Sequence, residues 1–258
     1  MRPLLDDQRG DVVARFLDEE ERDRNHIVVA LSGAHGYGFP SPDSGLDLKA
    51  IHVEPTRSFL GLNAPRPHAI RMEMLDGVEV DYSSNEIGPA LQGILQGNGN
   101  YLERMLGALV LRSSPMHEAL APLVRASLSK RFYRHYQGVA GGQLRDLEEA
   151  ARPTANSVLY LLRATLTGAH LLRYRELVVD LSPLLDPYGF TEAREIIEAK
   201  RAGERYVFTE DLRLHWIEEG RRAFDVLDLA LAASPLPDEA PNRDQLDEWL
   251  IDLRRALL

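Results

Sequence analysis

The stretch Leu31-Ser32-Gly33-Ala34-His35-Gly36-Tyr37-Gly38, followed by Pro42-Asp43-Ser44-Gly45-Leu46-Asp47-Leu48-Lys49-Ala50-Ile51-His52-Val53, decides the fold. An apolar strand, Ile27 to Leu31, runs into a glycine-rich turn, and a second apolar strand then carries an acid near its start. Glycines let a backbone approach a phosphate closely, and free backbone N–H groups can bind it. A carboxylate on the adjacent strand can hold Mg²⁺ against the same phosphates. The acids are sparse, and that is the weak point of the layout.

Outward from this stretch, residues 8–24 read as a helix, because Val12, Val13, Phe16 and Leu17 recur at helical spacing among charges. Leu46 to Val53 reads as a strand ended by Glu54-Pro55. Residues 56–69 read as a loop, with Pro65 and Pro67 breaking structure. Arg71 to Leu75 and Val78 to Tyr82 flank Asp76-Gly77, a hairpin signal. Ile87 to Leu95 reads as a helix, Gly97-Asn98-Gly99-Asn100 as a turn, and Tyr101 to Leu111 as a helix or a mixed segment. After Ser113-Ser114-Pro115 strand signals almost vanish. Helical patterns run from Met116 to Leu258, broken near Arg152-Pro153, Asp186-Pro187 and Ser234-Pro235-Leu236-Pro237. The expected organisation is an α/β domain over residues 1–114, a small mixed sheet flanked by helices, and an all-helical domain over residues 115–258.

With 258 residues, 44% hydrophobic and 27% charged, the chain has the composition of a globular protein. No window holds about 18 uncharged apolar residues, so no membrane span is expected. The acidic N-terminal residues lack a signal-peptide core. Cysteine is absent, which excludes disulfides and thiolate metal sites. The expected compartment is the cytoplasm. The net charge of −10 argues against broad, non-specific nucleic-acid binding but not against a local basic groove. Lys130-Arg131-Phe132-Tyr133-Arg134-His135-Tyr136 alternates basic and aromatic residues. It reads first as the amphipathic turn of a surface helix and second as a base-stacking groove. Leucine-rich faces at Leu227, Leu229 and Leu231, and at Leu246, Leu250 and Leu253, suit a core or a dimer equally.

Nucleotidyl transfer moves a nucleoside monophosphate from a triphosphate to an acceptor, and clustered carboxylates commonly hold two Mg²⁺ ions for it. Acids one residue apart on a strand share a face. Asp47 lies on the first acidic strand, and Glu79 and Asp81 share a face of the second hairpin strand. The position two before Asp47 is Gly45, which has no side chain.

On these residues the chain resembles the DNA polymerase β-like nucleotidyltransferases, in particular a predicted bacterial group related to RNA-repair-associated members. The glycine loop with Asp43-Ser44-Gly45-Leu46-Asp47-Leu48-Lys49 is similar to that group's Gly-Ser loop and acidic strand. Glu79 to Glu86 resembles its third-acid segment, and Gly97 to Arg104 its Asn-rich turn and following Glu. Leu159 to Arg163, Leu166 to Leu172 and Lys200 to Glu204 also look familial, so the likeness runs from about Ile27 to about Pro237. It implies catalytic, metal-binding roles for Asp47 and Asp81, with Asp43 a further candidate ligand on a bent loop. It implies nucleotide contacts from Gly33, Ala34, Gly36, Tyr37, Gly38, Ser44, Lys49, Arg163 and His170. The implied cofactor is Mg²⁺ or Mn²⁺, the substrate a nucleoside triphosphate, and the acceptor a nucleic acid such as an RNA end.

Two departures from the family pattern stand out. Ala34 replaces the usual Ser after the first loop glycine, and Gly45 replaces the first Asp of an Asp-x-Asp pair. The alternative to an active enzyme is therefore a degenerate member that binds nucleotide or a partner without transfer. Lys49 can bind a triphosphate oxygen, replace metal charge, or sit as a plain surface lysine. Arg163 and His170, seven apart, share a helical face, where a buried histidine beside a lining arginine is the default reading. Glu103 and Arg104 are expected to brace the Asn-rich turn. His35 and His52 make no convincing zinc site.

Overall fold

Hydrophobic alternation builds a sheet in the N-terminal part of the chain, and amphipathic helices build the rest. The computed structural model describes residues 5–62, 65–149, 154–203 and 208–258. The first elements are α1 (Asp7–Glu20), β1 (Asn25–Leu31), α2 (Gly33–Gly36), β2 (Leu46–Val53), α3 (Thr56–Leu60), β3 (His68–Leu75), β4 (Val78–Glu86), α4 (Ile87–Leu95), α5 (Gly99–Leu106) and β5 (Val110–Ser113). Helices follow: α6 (Pro115–Ala126), α7 (Phe132–Glu149), α8 (Ala155–Tyr174), α9 (Leu185–Tyr188), α10 (Ala193–Arg201), α11 (Glu210–Ala232) and α12 (Arg243–Ala256).

The five strands form one mixed sheet in the order β3-β4-β2-β1-β5. The β2–β4 pair is parallel and the other three pairs are antiparallel. The β3–β4 hairpin turns on Asp76 (φ 50°) and Gly77 (φ 80°), the left-handed pair that a tight two-residue hairpin requires. One face of the sheet is covered by α1. Asp6 caps that helix by accepting the Arg9 N–H at 2.8 Å, and Val12, Val13, Phe16 and Leu17 pack on Leu31, Leu48, Val80 and Tyr82. The other face continues into the helices. A single apolar cluster runs from Ile27 and Ile51 through Tyr37, Phe39 and Leu102 to Leu162 and Leu166 of α8 and Leu227 of α11. Gly168 lets α7 and α8 cross closely, since a Cβ there would lie 2.7 Å from Tyr136 Cβ.

The last helix returns to the sheet. Arg254 pairs with buried Glu86 at 2.5 Å and donates to the Glu54 carbonyl at 3.1 Å, while the Thr56 hydroxyl donates to the Arg254 carbonyl at 2.6 Å. Among the described residues no helix is long and apolar enough to cross a membrane.

The expected mixed sheet and helix-rich remainder are both present. Three details differ from the sequence reading. The glycine-rich turn closes into the one-turn helix α2. The segment 56–69 contains α3 and the start of β3. The mixed segment from Tyr101 resolves into α5 and the edge strand β5, because Val110 to Ser113 finds a free edge on β1. The Arg152-Pro153 break and Glu204 of the familial segment lie outside the described residues.

Candidate active site

Asp47 and Asp81 meet because β2 and β4 are parallel neighbours in a register that makes them direct partners. On the same sheet face, Lys49 is opposite Ser83 and Ile51 is opposite Asn85. Both acids are about one-third exposed, Asp47 at 34% and Asp81 at 37% of their side chains. They share Lys49, whose Nζ lies 2.9 Å from Asp81 Oδ2 and 3.8 Å from Asp47 Oδ1. Burial pushes the Asp47 carboxyl above the usual carboxylate range. Lys49 counteracts this, and the Asp81 and Glu79 charges reinforce it. Glu79 lies on the same face as Asp81, as expected, and is exposed.

Asp47, Lys49 and Ser83 line a cleft of about 340 Å³, together with Ser32, Gly33, Tyr37, Asn100, Arg104 and Tyr160, and Asp81 stands beside Asp47 through the strand register. Its donor set fits one divalent ion. Mg²⁺ takes one or two carboxylates and completes its oxygen shell with water and phosphate, and Asp47 and Asp81 are two carboxylates side by side here. Among the described residues no group of three His, Asp or Glu side chains is disposed to hold a metal. Gly45 stands where a further acid would be. A Cβ there would meet the Glu79 carbonyl at 3.0 Å and Glu79 Cβ at 3.3 Å, so the backbone is closely packed around the missing side chain.

The glycine loop is fitted to Asp47. Gly33 has φ +59°, and a Cβ on it would lie 2.5 Å from Asp47 Cγ and 3.0 Å from Asp47 Cβ. The Ser32 N–H donates to the Asp47 carbonyl at 2.8 Å, locking loop to strand. The first N–H groups of α2 have no intrahelical acceptor, the usual state of a helix start. Gly36 approaches the Leu31 carbonyl too closely for a side chain, and Ala34 is buried.

The loop is also tied to the helices. Tyr37 is buried, and its hydroxyl donates to Glu103 at 3.3 Å. Arg163 stacks over the Tyr37 ring at 3.8 Å and pairs with Glu103 at 2.6 Å. The Leu181 N–H donates to the Tyr37 carbonyl, and Arg201 donates to the Gly38 carbonyl. Tyr160 meets the rings of Tyr37 and Phe39 edge-on. Lys200 lies over Phe39 at 4.9 Å.

The remaining sequence candidates are dispersed. Arg163 is 5% exposed and committed to Glu103, behind the cleft lining. His170 is further along α8, against Tyr174 and Tyr188. Ser44 closes its own loop by accepting the Ser41 N–H at 2.8 Å. Asp43 is exposed, and a Ser41 hydrogen bond holds its carboxyl below the usual range. Gly38 (φ +86°) packs on Asp180. The basic-aromatic segment at 130–136 follows its first reading: Phe132 and Tyr136 are core, and Lys130 and Arg131 pair with Asp238 and Glu239. Glu103 and Arg104 do more than brace a turn, since both line the cleft. The signal for Arg104 was its spacing of four from Asn100 on one helix.

The sequence matches the RNA repair pathway DNA polymerase beta family (RlaP) across residues 10–252. It is 29% identical over 178 residues to the uncharacterized protein MJ0002 of Methanocaldococcus jannaschii, covering 67% of this chain and 72% of that protein. A crystal structure of a nucleotidyltransferase-like protein from Exiguobacterium sibiricum 255-15 aligns over 96% of this chain and 80% of that chain, with TM-score 0.36 and 10% identity.

Proposed function

The chain belongs to the RNA repair pathway DNA polymerase beta family, and from that premise we propose that it is a metal-dependent nucleotidyltransferase acting on a nucleoside triphosphate and an acceptor hydroxyl, such as an RNA end. The observation that carries this reading is the register pairing of Asp47 with Asp81, with Gly33 of the glycine loop closed against Asp47.

The acceptor hydroxyl gives its proton to solvent as its oxygen bonds to the α-phosphorus, the α–β phosphoanhydride bond breaks, and pyrophosphate leaves. Asp47 and Asp81 would hold a Mg²⁺ or Mn²⁺ ion, which supplies charge stabilisation at the phosphoryl oxygens. Gly33, which lines the cleft, presents its backbone to the phosphates, whereas the Gly36 N–H is taken by the Ser32 carbonyl at 3.0 Å and Gly38 packs on Asp180. Lys49 offsets one of the two acid charges in the unliganded chain and can turn to a phosphate oxygen. Tyr37 holds the loop rigidly against the helices, so the chain's contribution is positioning and preorganised charge.

A second reading rests on Lys49 and Gly45: an ammonium already bridges two carboxylates where a family member has three acids. Under it the chain binds nucleotide without transferring it. One assay separates the two. Each α-³²P nucleoside triphosphate is incubated with a 3′-hydroxyl RNA and Mg²⁺ or Mn²⁺, using the wild-type chain, Asp47→Asn, Asp81→Asn and Lys49→Met. Label transfer that falls by roughly a hundredfold or more in both Asn variants supports the enzyme. Triphosphate binding with no transfer in any arm supports the binding protein.

A further inference from the structure

The cleft contains a cation that neither acid of the pair contacts directly. Arg104 is oriented by three neutral oxygens: its guanidinium donates to the Ala50 carbonyl at 3.2 Å, to Asn85 Oδ1, and to Ser83 Oγ at 3.4 Å. It lies 5.5 Å from the Tyr101 ring centre. Among the described residues no carboxylate is in ion-pair contact with it and its Nε has no hydrogen-bond acceptor. Burial lowers its pKa, so its charge is poorly solvated. The other cleft cation, Lys49, is held by Asp81 and Asp47, and Arg163 behind the lining is neutralised by Glu103.

A largely desolvated charge with no carboxylate in direct contact, and only the Asp81 charge acting on it from a distance, is costly. A guanidinium held by neutral acceptors, with donors left over and an open cleft beside it, is arranged for an anion from outside. Asn100 adds a neutral donor. It is four residues before Arg104 on the same face of α5, is exposed, lines the same cleft, and among the described residues makes no side-chain hydrogen bond. Ser83 and Asn85 place the group along the strands from Asp81, on the same sheet face.

We propose that Arg104 and Asn100 form a phosphate-binding seat in the cleft, separate from the acid pair, for a phosphate group carried by the substrate. Its chemistry is shared by two sources, the tail of a triphosphate and the terminal phosphate of an acceptor strand. The seat rests on the transfer reading only for the identity of the phosphate carrier.

The test is calorimetric titration in EDTA with ATP, inorganic tripolyphosphate, and a short 5′-phosphorylated RNA beside its 5′-hydroxyl twin. The proteins are the wild-type chain, Arg104→Gln, Arg104→Lys and Asn100→Ala. Arg104→Gln should weaken a phosphate probe by roughly tenfold to a hundredfold, the scale of a charged hydrogen bond. Arg104→Lys should recover part of that, as a point charge without the planar fork. Asn100→Ala should weaken it by about threefold to tenfold, and its exposed side chain keeps the test readable if Arg104→Gln unfolds. The 5′-hydroxyl RNA should not respond. Loss confined to ATP and tripolyphosphate assigns the seat to the triphosphate, and loss confined to phosphorylated RNA assigns it to the acceptor. The proposal is overturned if no phosphate probe binds the wild-type chain, or if every probe binds the folded variants as tightly. The label-transfer assay fails independently. Absent transfer with Arg104-dependent phosphate binding keeps the seat, and transfer with Arg104-independent affinity removes the seat but keeps the enzyme.

Discussion

Replacing Glu103 by Gln keeps the shape of the side chain and removes its charge, leaving Arg163 buried without a counter-ion. The pair is 2.6 Å apart, with side chains 9% and 6% exposed, and it joins α5 to α8 across 60 residues of sequence. Breaking a buried pair from one side costs about 3–5 kcal/mol. Against a total stability of about 5–15 kcal/mol, that is a large share, and it corresponds to a fall in Tm of roughly 6–20 °C. Tyr37 shares the network, so the loop that carries Gly33 loosens with it. Urea denaturation of Glu103→Gln, Arg163→Met and the double variant measures the coupling. The double variant should be more stable than the sum of the singles predicts, by about 2 kcal/mol or more, because neither buried charge remains. A cost under about 1 kcal/mol for Glu103→Gln, the scale of a solvated surface pair, would refute the reasoning.

Gly33→Ala should lower stability by about 2 kcal/mol or more, from the left-handed backbone alone and then from contact with Asp47. Turning the Asp47 side chain does not relieve its Cβ, only 3.0 Å from the new methyl, so calorimetric Mn²⁺ titration should show weakened binding in the folded fraction. The cross-strand partners His26 and His52 give a pH dependence. Burial holds both imidazoles neutral, with pKa values lowered to about 4 from 6.5. The unfolded chain therefore takes up protons below 6.5 that the folded chain refuses. This stability is fully present above about pH 6.5, falls with pH, and levels off below about 4. The loss by about pH 5 is roughly 2 kcal/mol per histidine. Urea midpoints between about pH 7.5 and about pH 5 check this, and His26→Gln should remove about half the slope.

The strands around the glycine loop were legible because each is short, apolar and bounded by Gly, Pro or an Asp-Gly turn. The acid pair was legible in part. A period of two places Asp47 and Lys49 on one face, and Glu79 and Asp81 on another, but says nothing about which strands are neighbours. The β2–β4 pairing supplies that, and it follows from the whole sheet order. Val110 to Ser113 was obscured because Ala108-Leu109-Val110-Leu111 continues the apolar run of α5 with only the single Gly107 between them. Glu103 and Arg163 are 60 residues apart, beyond any local pattern, so Arg163 looked like a residue that lines a helix. Arg104 was hidden for a different reason. Its function depends on the absence of an acid in space, and sequence neighbours such as Glu103 suggest the opposite.

The clamp of α12 on the sheet bears on when this molecule can become itself. Glu86 is 1% exposed and waits for Arg254, 168 positions later, to neutralise it. The glycine loop likewise waits for Arg163, Leu181 and Arg201. A chain emerging from the ribosome has both acids by residue 81, yet lacks the partners that hold the loop and the counter-charge that makes the end of β4 tolerable in a dry interior. Contacts between such distant positions close slowly, because loop-closure entropy is lost before they form. Assembly of the cleft is thus delayed until the segments that carry Arg163, Leu181 and Arg201 have been made, and its acids are not held for phosphate chemistry before then.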